Sequence, residues 1–404
     1  MWNINGKVYD LTSYIDNHPG GKDILIQTKG LEDCSALFET YHAFSDKKLI
    51  KCILDKYEVK DSEKKDAFHN FSSYNELTER VRKVFPYRTS IKATTSWFIL
   101  NAINFIIYLP LLYFIINVKT IYIKCLLAIF ASFIENSFRF NLLHDSSHYA
   151  ISIYPRINEF FGNIIQSWVL WNHKIWFYHH VYSHHSFTGS DKDTDIGLYE
   201  FSNNNYLYNI AIFGLGIPGQ HYLQTILYLK SGFTKNYSYV NCSYSNDNES
   251  MIIPSHVYLY DLIGLPIVFL KIYFFYKGGI FVSLFYCIAI NTLYYVNIIG
   301  DHDFYETKIE NHYDGDDWAK RQICNSGNFL NESLAWTYLF SGINYQIEHH
   351  LFPNVCGHLY PKIAPIVKAY CLEKGWNYVH KKTLYDIYLS FMKRIKHNKH
   401  NKNN

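Results

Sequence analysis

Between Ser96 and Val118 the chain runs SWFILNAINFIIYLPLLYFIINV, 23 residues without a charge. At about 1.5 Å rise per residue, a helix of that length crosses the roughly 30 Å hydrocarbon core of a bilayer. Residues 121–140 (IYIKCLLAIFASFIENSFRF) follow after Lys119 and Thr120 as a shorter, weaker span, and the two predict a helical hairpin. A second pair is expected at 255–277, which carries Asp261 and Lys271, and at 278–300, which carries no charge. Residues 203–229 also lack formal charge, but Gly214, Gly216, Pro218 and Gly219 break helix. That segment is expected to lie along the membrane surface. Charged residues make up only 18% of the chain, against roughly 25% in soluble domains, which agrees with a membrane protein.

The rest of the chain divides around these spans. Residues 1–60 predict a small α+β domain: KVYDLTSYI as a strand and turn, HPGG as a loop, KDILIQTKG and CSALFETYH as helices, LDKYEVK as a closing strand. Residues 61–95 read as a linker with an amphipathic helix in NELTERVRKVF. A membrane domain over 96–390 and a basic tail over 391–404 complete the chain. Eight cysteines stand singly with no CxxC, which argues against a disulfide framework and for a reducing compartment. The polar start MWNINGKVYD has no apolar signal region, so the N terminus is expected in the cytosol. The net charge is only +3, and no nucleic-acid partner is expected.

Histidine carries the chemistry. His18 lies in HPGG and His42 stands 24 residues later in FETYHAF. Haem iron with two axial imidazoles needs two histidines on opposite faces of the ring, and a Pro-Gly-Gly turn presents the first without a bulky neighbour. Further on, HDSSH holds His144 and His148, HHVYSHH holds His179, His180, His184 and His185, GDHDF holds His302, and QIEHH holds His349 and His350. Positions i and i+4 share a helix face, so His144/His148 and His180/His184 each predict a two-pronged clamp. Seven or eight clustered imidazoles exceed what one zinc takes and imply two metals. His179 is assigned a supporting role beside His180. Trp168, Trp171 and Trp176 are candidate walls for a substrate, with interfacial aromatics as the alternative.

Residues 1–60 resemble the cytochrome b5 family, in which His18 and His42 match the two axial ligands of haem b. HDSSH, HVYSHH and QIEHH resemble the histidine boxes of membrane fatty-acyl desaturases. Gln346 replaces the first histidine of box three, and with an N-terminal cytochrome b5 domain that resembles the front-end desaturases. DDWAKRQICNSGNF, GINYQIEHHLFPNVCGHLY and SDKDTDI resemble the flanking text of the same family. The resemblance implies a cytochrome b5-like α+β domain followed by an all-α integral membrane domain with about four transmembrane helices and a cytosolic helical cap. It implies two non-haem iron ions on His144, His148, His180, His184, His185, His302, His349 and His350, with Gln346 and Asn297 near them.

The activity implied is O2-dependent insertion of a cis double bond between an existing one and the carboxyl end of an acyl chain, lipid- or CoA-linked. A sphingolipid long-chain-base desaturase is the alternative, and a di-iron fatty acyl hydroxylase a more distant one. NADH-cytochrome b5 reductase or a similar donor, a fatty acyl substrate and a lipid membrane are the expected partners. The endoplasmic reticulum is the expected location. Because every box must reach one pair of metals, an even number of crossings must separate box two from box three, and both termini come out cytosolic.

Overall fold

The computed structural model describes residues 1–60, 69–169, 172–190, 192–194, 202, 205–212, 223, 226–227, 230, 236–240, 250–254, 265–307 and 317–403. Strands β1 (Trp2–Ile4) and β2 (Lys7–Tyr9) pair antiparallel, with Trp2 opposite Tyr9. Asn5 and Gly6 join them with φ of 51° and 72°, the backbone that an Asn-Gly hairpin turn requires. Helices α1 (Lys22–Thr28), α2 (Ser35–Tyr41) and α3 (Lys47–Tyr57) close the unit around Trp2, Ile4, Tyr9, Leu11 and Leu25.

The expected closing strand LDKYEVK is mostly the end of α3. Asp46 caps that helix, accepting from the backbone N–H of Lys48 and Leu49, and only Glu58 bridges to Tyr9. Helix α4 (Ser72–Arg82) is the amphipathic helix of the linker, with Tyr74, Leu77 and Val81 on its buried face. Residues 61–68 of that linker lie outside the described residues.

Among the described residues, three helices are long and apolar enough to cross a membrane: Thr95–Asn117, Ile121–Ser147 and Ile280–Asp301. The first is α5. The second begins as α6 (Ile121–Arg139) and runs on through a π-helical turn, Phe140–His144, into Asp145–Ser147. It exceeds the expected 121–140, so box one is the end of the span itself. Helix α7 (Pro155–Val169) follows, then α8, which begins at His173–Trp176 and continues as π-helix through Phe177–His184 to His185–Phe187.

A short helix, α9 (Tyr206–Ala211), and a hairpin of β3 (Asn236–Val240) with β4 (Ser250–Pro254) come next. The surface segment expected over 203–229 lies largely outside the described residues. So do residues 255–264 of the third expected span. Its described part is α10 (Leu265–Gly278), which turns at once into α11 (Ile280–Asp301).

These helices show apolar side chains outward. Ile106, Phe114, Leu126, Phe130, Phe269 and Phe281 are each more than half exposed, a distribution that suits lipid and not water. Inward, α5, α6, α10 and α11 share one polar knot. Lys271 Nζ lies 3.2 Å from Glu135 Oε1, Tyr108 donates to Glu135 Oε2 at 2.8 Å, and Tyr286 donates to the same carboxylate. Lys271, a charge within an expected span, is therefore held by a partner from α6.

The C-terminal part caps one end of these helices. It comprises α12 (Trp318–Cys324), β5 (Gly327–Phe329), α13 (Leu334–Leu339), α14 (Gln346–Leu351), α15 (Tyr360–Lys374), β6 (Val379–Lys381) and α16 (Leu384–Asn403). Strands β5 and β6 pair parallel. The boundary expected at 390 falls inside α16, because Ile387, Phe391 and Ile395 recur at i, i+4 and i+8 and are all buried. Ala93 N–H donates to Ile151 O at 3.2 Å, so α5 begins at the end of the bundle where box one stands.

Breaking a buried ion pair from one side leaves the other charge uncompensated, at about 3–5 kcal/mol. Lys271→Met is expected to lower the thermal midpoint of the detergent-purified protein accordingly. Glu135→Gln combined with Lys271→Met should recover most of the loss, as read by tryptophan fluorescence during heating.

Candidate functional site

The π-helical turns bring the histidines to the site. In a π-helix the backbone bonds run i to i+5, so residues five apart face alike. His180 and His185 bring their Nε2 atoms to 3.3 Å, while the His184 ring stacks on His180 at 5.2 Å between centres and sends its ligand nitrogen to other histidines. The clamp expected from His180 and His184 is therefore divided. The ligand nitrogens of His144, His148, His180 and His349 form one group, and those of His184, His302 and His350 form another. His185 groups with His349 and His350 and joins the two. Box three supplies both groups from α14, where Gln346, His349 and His350 share a face at i, i+3 and i+4.

Glu348 faces the other way. It accepts from Asn328 Nδ2 at 2.8 Å and from Tyr378 Oη at 2.9 Å, anchoring α14, and burial pushes its carboxyl up to about 7. Gly342, just before this helix, has φ of 83°, and any Cβ there would run into the Gly357 carbonyl.

The hydrogen bonds on the outer ring nitrogens orient the inner ones. His184 Nδ1 lies 2.8 Å from Asp193 Oδ1, His350 Nδ1 2.8 Å from Gln322 Oε1, and His302 Nδ1 2.7 Å from Asn325 O. These partners are oxygens that only accept, so each Nδ1 carries the proton and each Nε2 presents a lone pair. Yet His184 Nε2 and His350 Nε2 face each other at 3.1 Å. Two lone pairs at that distance repel, and a cation between them is what such a pair fits.

In the first group, His144 Nε2 lies 3.2 Å from His180 Nε2 and 3.1 Å from His349 Nε2. His148 Nε2 is buried without a hydrogen-bond partner. Burial, with the neighbouring imidazoles, holds His148, His185, His349 and His350 well below the ordinary histidine range, so they stay neutral as metal ligands must be. These residues fit a metal, and imidazole-rich sites suit iron, copper or zinc.

Gln346 sits in the second group, its Nε2 at 3.1 Å from His302 Nε2 and 3.2 Å from His350 Nε2, with Oε1 buried and unpartnered. Asn297 lies on α11 before His302; its Nδ2 reaches Asp301 Oδ2 at 3.3 Å. His179 belongs to neither group, and its carbonyl accepts from Thr194 Oγ1 at 2.6 Å. Trp176 stacks on His180 at 4.3 Å between ring centres and donates to Ser147 Oγ at 3.0 Å. The side chain of Trp168 and all of Trp171 lie outside the described residues.

His18 and His42 face each other across the N-terminal unit with ring centres 6.2 Å apart. Two metal–imidazole bonds of about 2 Å each plus the two ring radii fill that separation. Their Nδ1 atoms donate to carbonyl oxygens, Gly21 O at 3.0 Å and Phe38 O at 2.8 Å, so both Nε2 lone pairs are free to bind iron. Loss of contact with water lowers His18 and brings His42 down to about 4. A Cβ at Gly20 would lie 2.6 Å from His18 Cε1, which is why that loop needs glycine.

Sequence reasoning missed Asp193, Gln322, Asn325, Tyr360 and Tyr41, which contact the outer nitrogens. Asp193 and Gln322 lie within SDKDTDI and DDWAKRQICNSGNF, and a polar residue shortly after a metal-box helix was the signal available. Tyr360 and Tyr41 gave none.

Residues 120–382 match the family model described as fatty acid desaturase. The chain belongs to the fatty acid desaturase family. Residues 1–62 match the cytochrome b5-like heme/steroid binding domain, so this desaturase carries a cytochrome b5 domain ahead of its mostly helical membrane part. It is 28% identical to Delta(5) fatty acid desaturase A of Dictyostelium discoideum, over 93% of this chain and 85% of the relative. It is 26% identical to the acyl-lipid (8-3)-desaturase of Mortierella alpina, over 97% and 92%. The acyl-lipid (8-3)-desaturase of Physcomitrium patens is 27% identical over 95% and 84%.

Partners of the outer nitrogen typically govern metal affinity by about 10- to 100-fold. Asp193→Ala is therefore expected to purify with less iron than the parent, by elemental analysis, while its haem absorbance is unchanged.

Proposed function

We propose that this desaturase is a front-end enzyme that inserts a cis double bond between an existing double bond and the carboxyl end of an acyl chain, with O2 as oxidant. The opposed lone pairs of His184 and His350 carry the metal reading, and the relatives named Delta(5) and (8-3) desaturases support the front-end reading. His144, His148, His180, His184, His185, His302, His349 and His350 hold two iron ions. Gln346 and Asn297 stand beside them as direct or water-mediated partners, and His179 supports box two from behind. His18 and His42 hold haem b.

Two iron ions bound here supply the oxidising power that removes hydrogen from unactivated methylenes, which no side chain has. The protein's own part is positional. Asp193, Gln322 and Asn325 lock three imidazole tautomers, and Glu348 anchors α14. Trp176 stacks on His180 and, through its bond to Ser147, ties box two to box one. A bis-histidine haem has no open position, so the N-terminal domain passes electrons and does not bind oxygen. Its tether gives it a high effective concentration at its acceptor.

The described part of α10 supports a fourth span beside the three long helices. A pair formed by α10 and α11 returns the chain to the side where box one ends. We place that side in the cytosol, with both termini, in the endoplasmic reticulum membrane, and NADH-cytochrome b5 reductase or a similar flavoprotein as the donor. Residues 1–60 are the haem domain, 61–95 the linker and 96–390 the membrane domain, with α16 carrying the last residues of the core.

Yeast expressing this chain and fed polyunsaturated and saturated acyl precursors should gain a double bond on the carboxyl side of an existing one. His349→Ala should abolish it. A product confined to long-chain bases, or a hydroxylated product, overturns the front-end assignment. His42→Ala should remove the haem absorbance and the product together while the iron content stays.

A further inference from the structure

The haem-bearing unit is seated directly on the metal-bearing face. Lys192 pairs with Glu32 at 2.6 Å, Tyr178 Oη donates to Gln27 O at 2.8 Å, and Asn354 Nδ2 donates to Tyr41 O at 3.3 Å. Gly21, in the loop of His18, packs against Pro155 at the start of α7. The seam brings Leu37, Thr40 and Tyr41 against His185, His350 and Trp318. One contact crosses it from site to site. Tyr41 directly precedes His42, and its hydroxyl lies 3.0 Å from His148 Nδ1.

We propose that Tyr41 is the positioning residue that couples the two sites. It holds the His148 ring in place and gives the electron a bonded route from the His42 side. This rests on the reading of His18/His42 as haem ligands and of the histidine boxes as the iron site. A metal on the unpartnered His148 Nε2 would leave the proton on Nδ1, and the phenolic oxygen would then accept from it. The route then runs from His42 along one peptide link to Tyr41, through its side chain and across one hydrogen bond to His148. One electron leaves ferrous haem, which becomes ferric, and enters a ferric ion of the metal centre, which becomes ferrous. No bond breaks, and the donor that re-reduces the haem is a flavoprotein reductase, or dithionite in the test.

Asn354 contributes from the other side of the seam. It holds the Tyr41 carbonyl without belonging to the haem unit, so its removal leaves the haem fold intact.

The test uses the full chain in lipid nanodiscs, loaded with haem and iron. Haem is reduced with dithionite without oxygen, then mixed with oxygenated buffer and acyl substrate while the Soret band is followed. His349→Ala sets the rate of haem oxidation that bypasses the metal centre. For Tyr41→Phe the expected result is a haem spectrum and midpoint potential equal to the parent's, with haem reoxidation slower by about 10- to 100-fold and faster loss of iron to a chelator. Asn354→Ala should show the same defect to a smaller degree, and it carries the test if Tyr41→Phe does not load haem. Reoxidation and iron retention at the parent's rate in both variants overturn the proposal. A parent whose haem reoxidises no faster than His349→Ala overturns the site reading, and the proposal with it.

Discussion

The arrangement of this molecule turns on imidazole lone pairs that face one another. Acceptors on the outer nitrogens of His184, His302 and His350 commit the inner nitrogens to lone pairs, and the fold then holds those of His184 and His350 3.1 Å apart with no proton between them. Such an arrangement is unfavourable without a cation and strongly favourable with one. Its dependants are spread along the chain: Asp193 after box two, Gln322 on α12, Asn325 before β5 and Tyr360 on α15 each fix a ring that lies elsewhere in sequence. The cap domain exists as much to supply these acceptors as to supply ligands.

The membrane part answers to a second constraint. Its helices face outward with isoleucine, leucine and phenylalanine, so packing in lipid gains little from apolar burial. What ties α5, α6, α10 and α11 together is the carboxylate of Glu135 with Lys271, Tyr108 and Tyr286. The knot lies on α6 a little over two turns before box one, so the same rod that is fixed inside the bilayer carries His144 and His148 at its end. Rigid ligand placement and membrane anchoring are thus properties of one helix.

Much of the plan was legible in the amino-acid order. The long uncharged run of α5, the facing histidines His18 and His42, and the three boxes each announce themselves by composition or spacing. Three features were not. The helix through HHVYSHH was read with a period of 3.6, so His180 and His184 were paired. The wider π-helical turn sets both His184 and His185 beside His180, and the ligand nitrogens of His180 and His184 go to different groups. The stretch LDKYEVK alternates enough to suggest a strand, yet the Asp46 cap starts a helix that runs through Tyr57. The basic end carries Phe391 and Ile395 as two apolar residues among lysines, too few to mark a buried face by their spacing. They matter only once Phe304, Phe329 and Phe340 stand across from them in one cluster.

The sequence by itself determined that the chain enters a membrane, that it opens with a cytochrome b5-like unit bearing two spaced histidines, and that it has more imidazole than one metal needs. Those are local properties: charge-free length, a turn between glycines, side-chain types a few residues apart. Only the tertiary structure decided which nitrogens meet, which way each ring is protonated, and where the haem unit sits. His148 and Tyr41 are 107 positions apart, and His144 and His349 are 205 apart. No periodicity spans such distances. They are closed by the packing of whole helices, and the tautomers of His184, His302 and His350 follow from the acceptors that packing sets behind them.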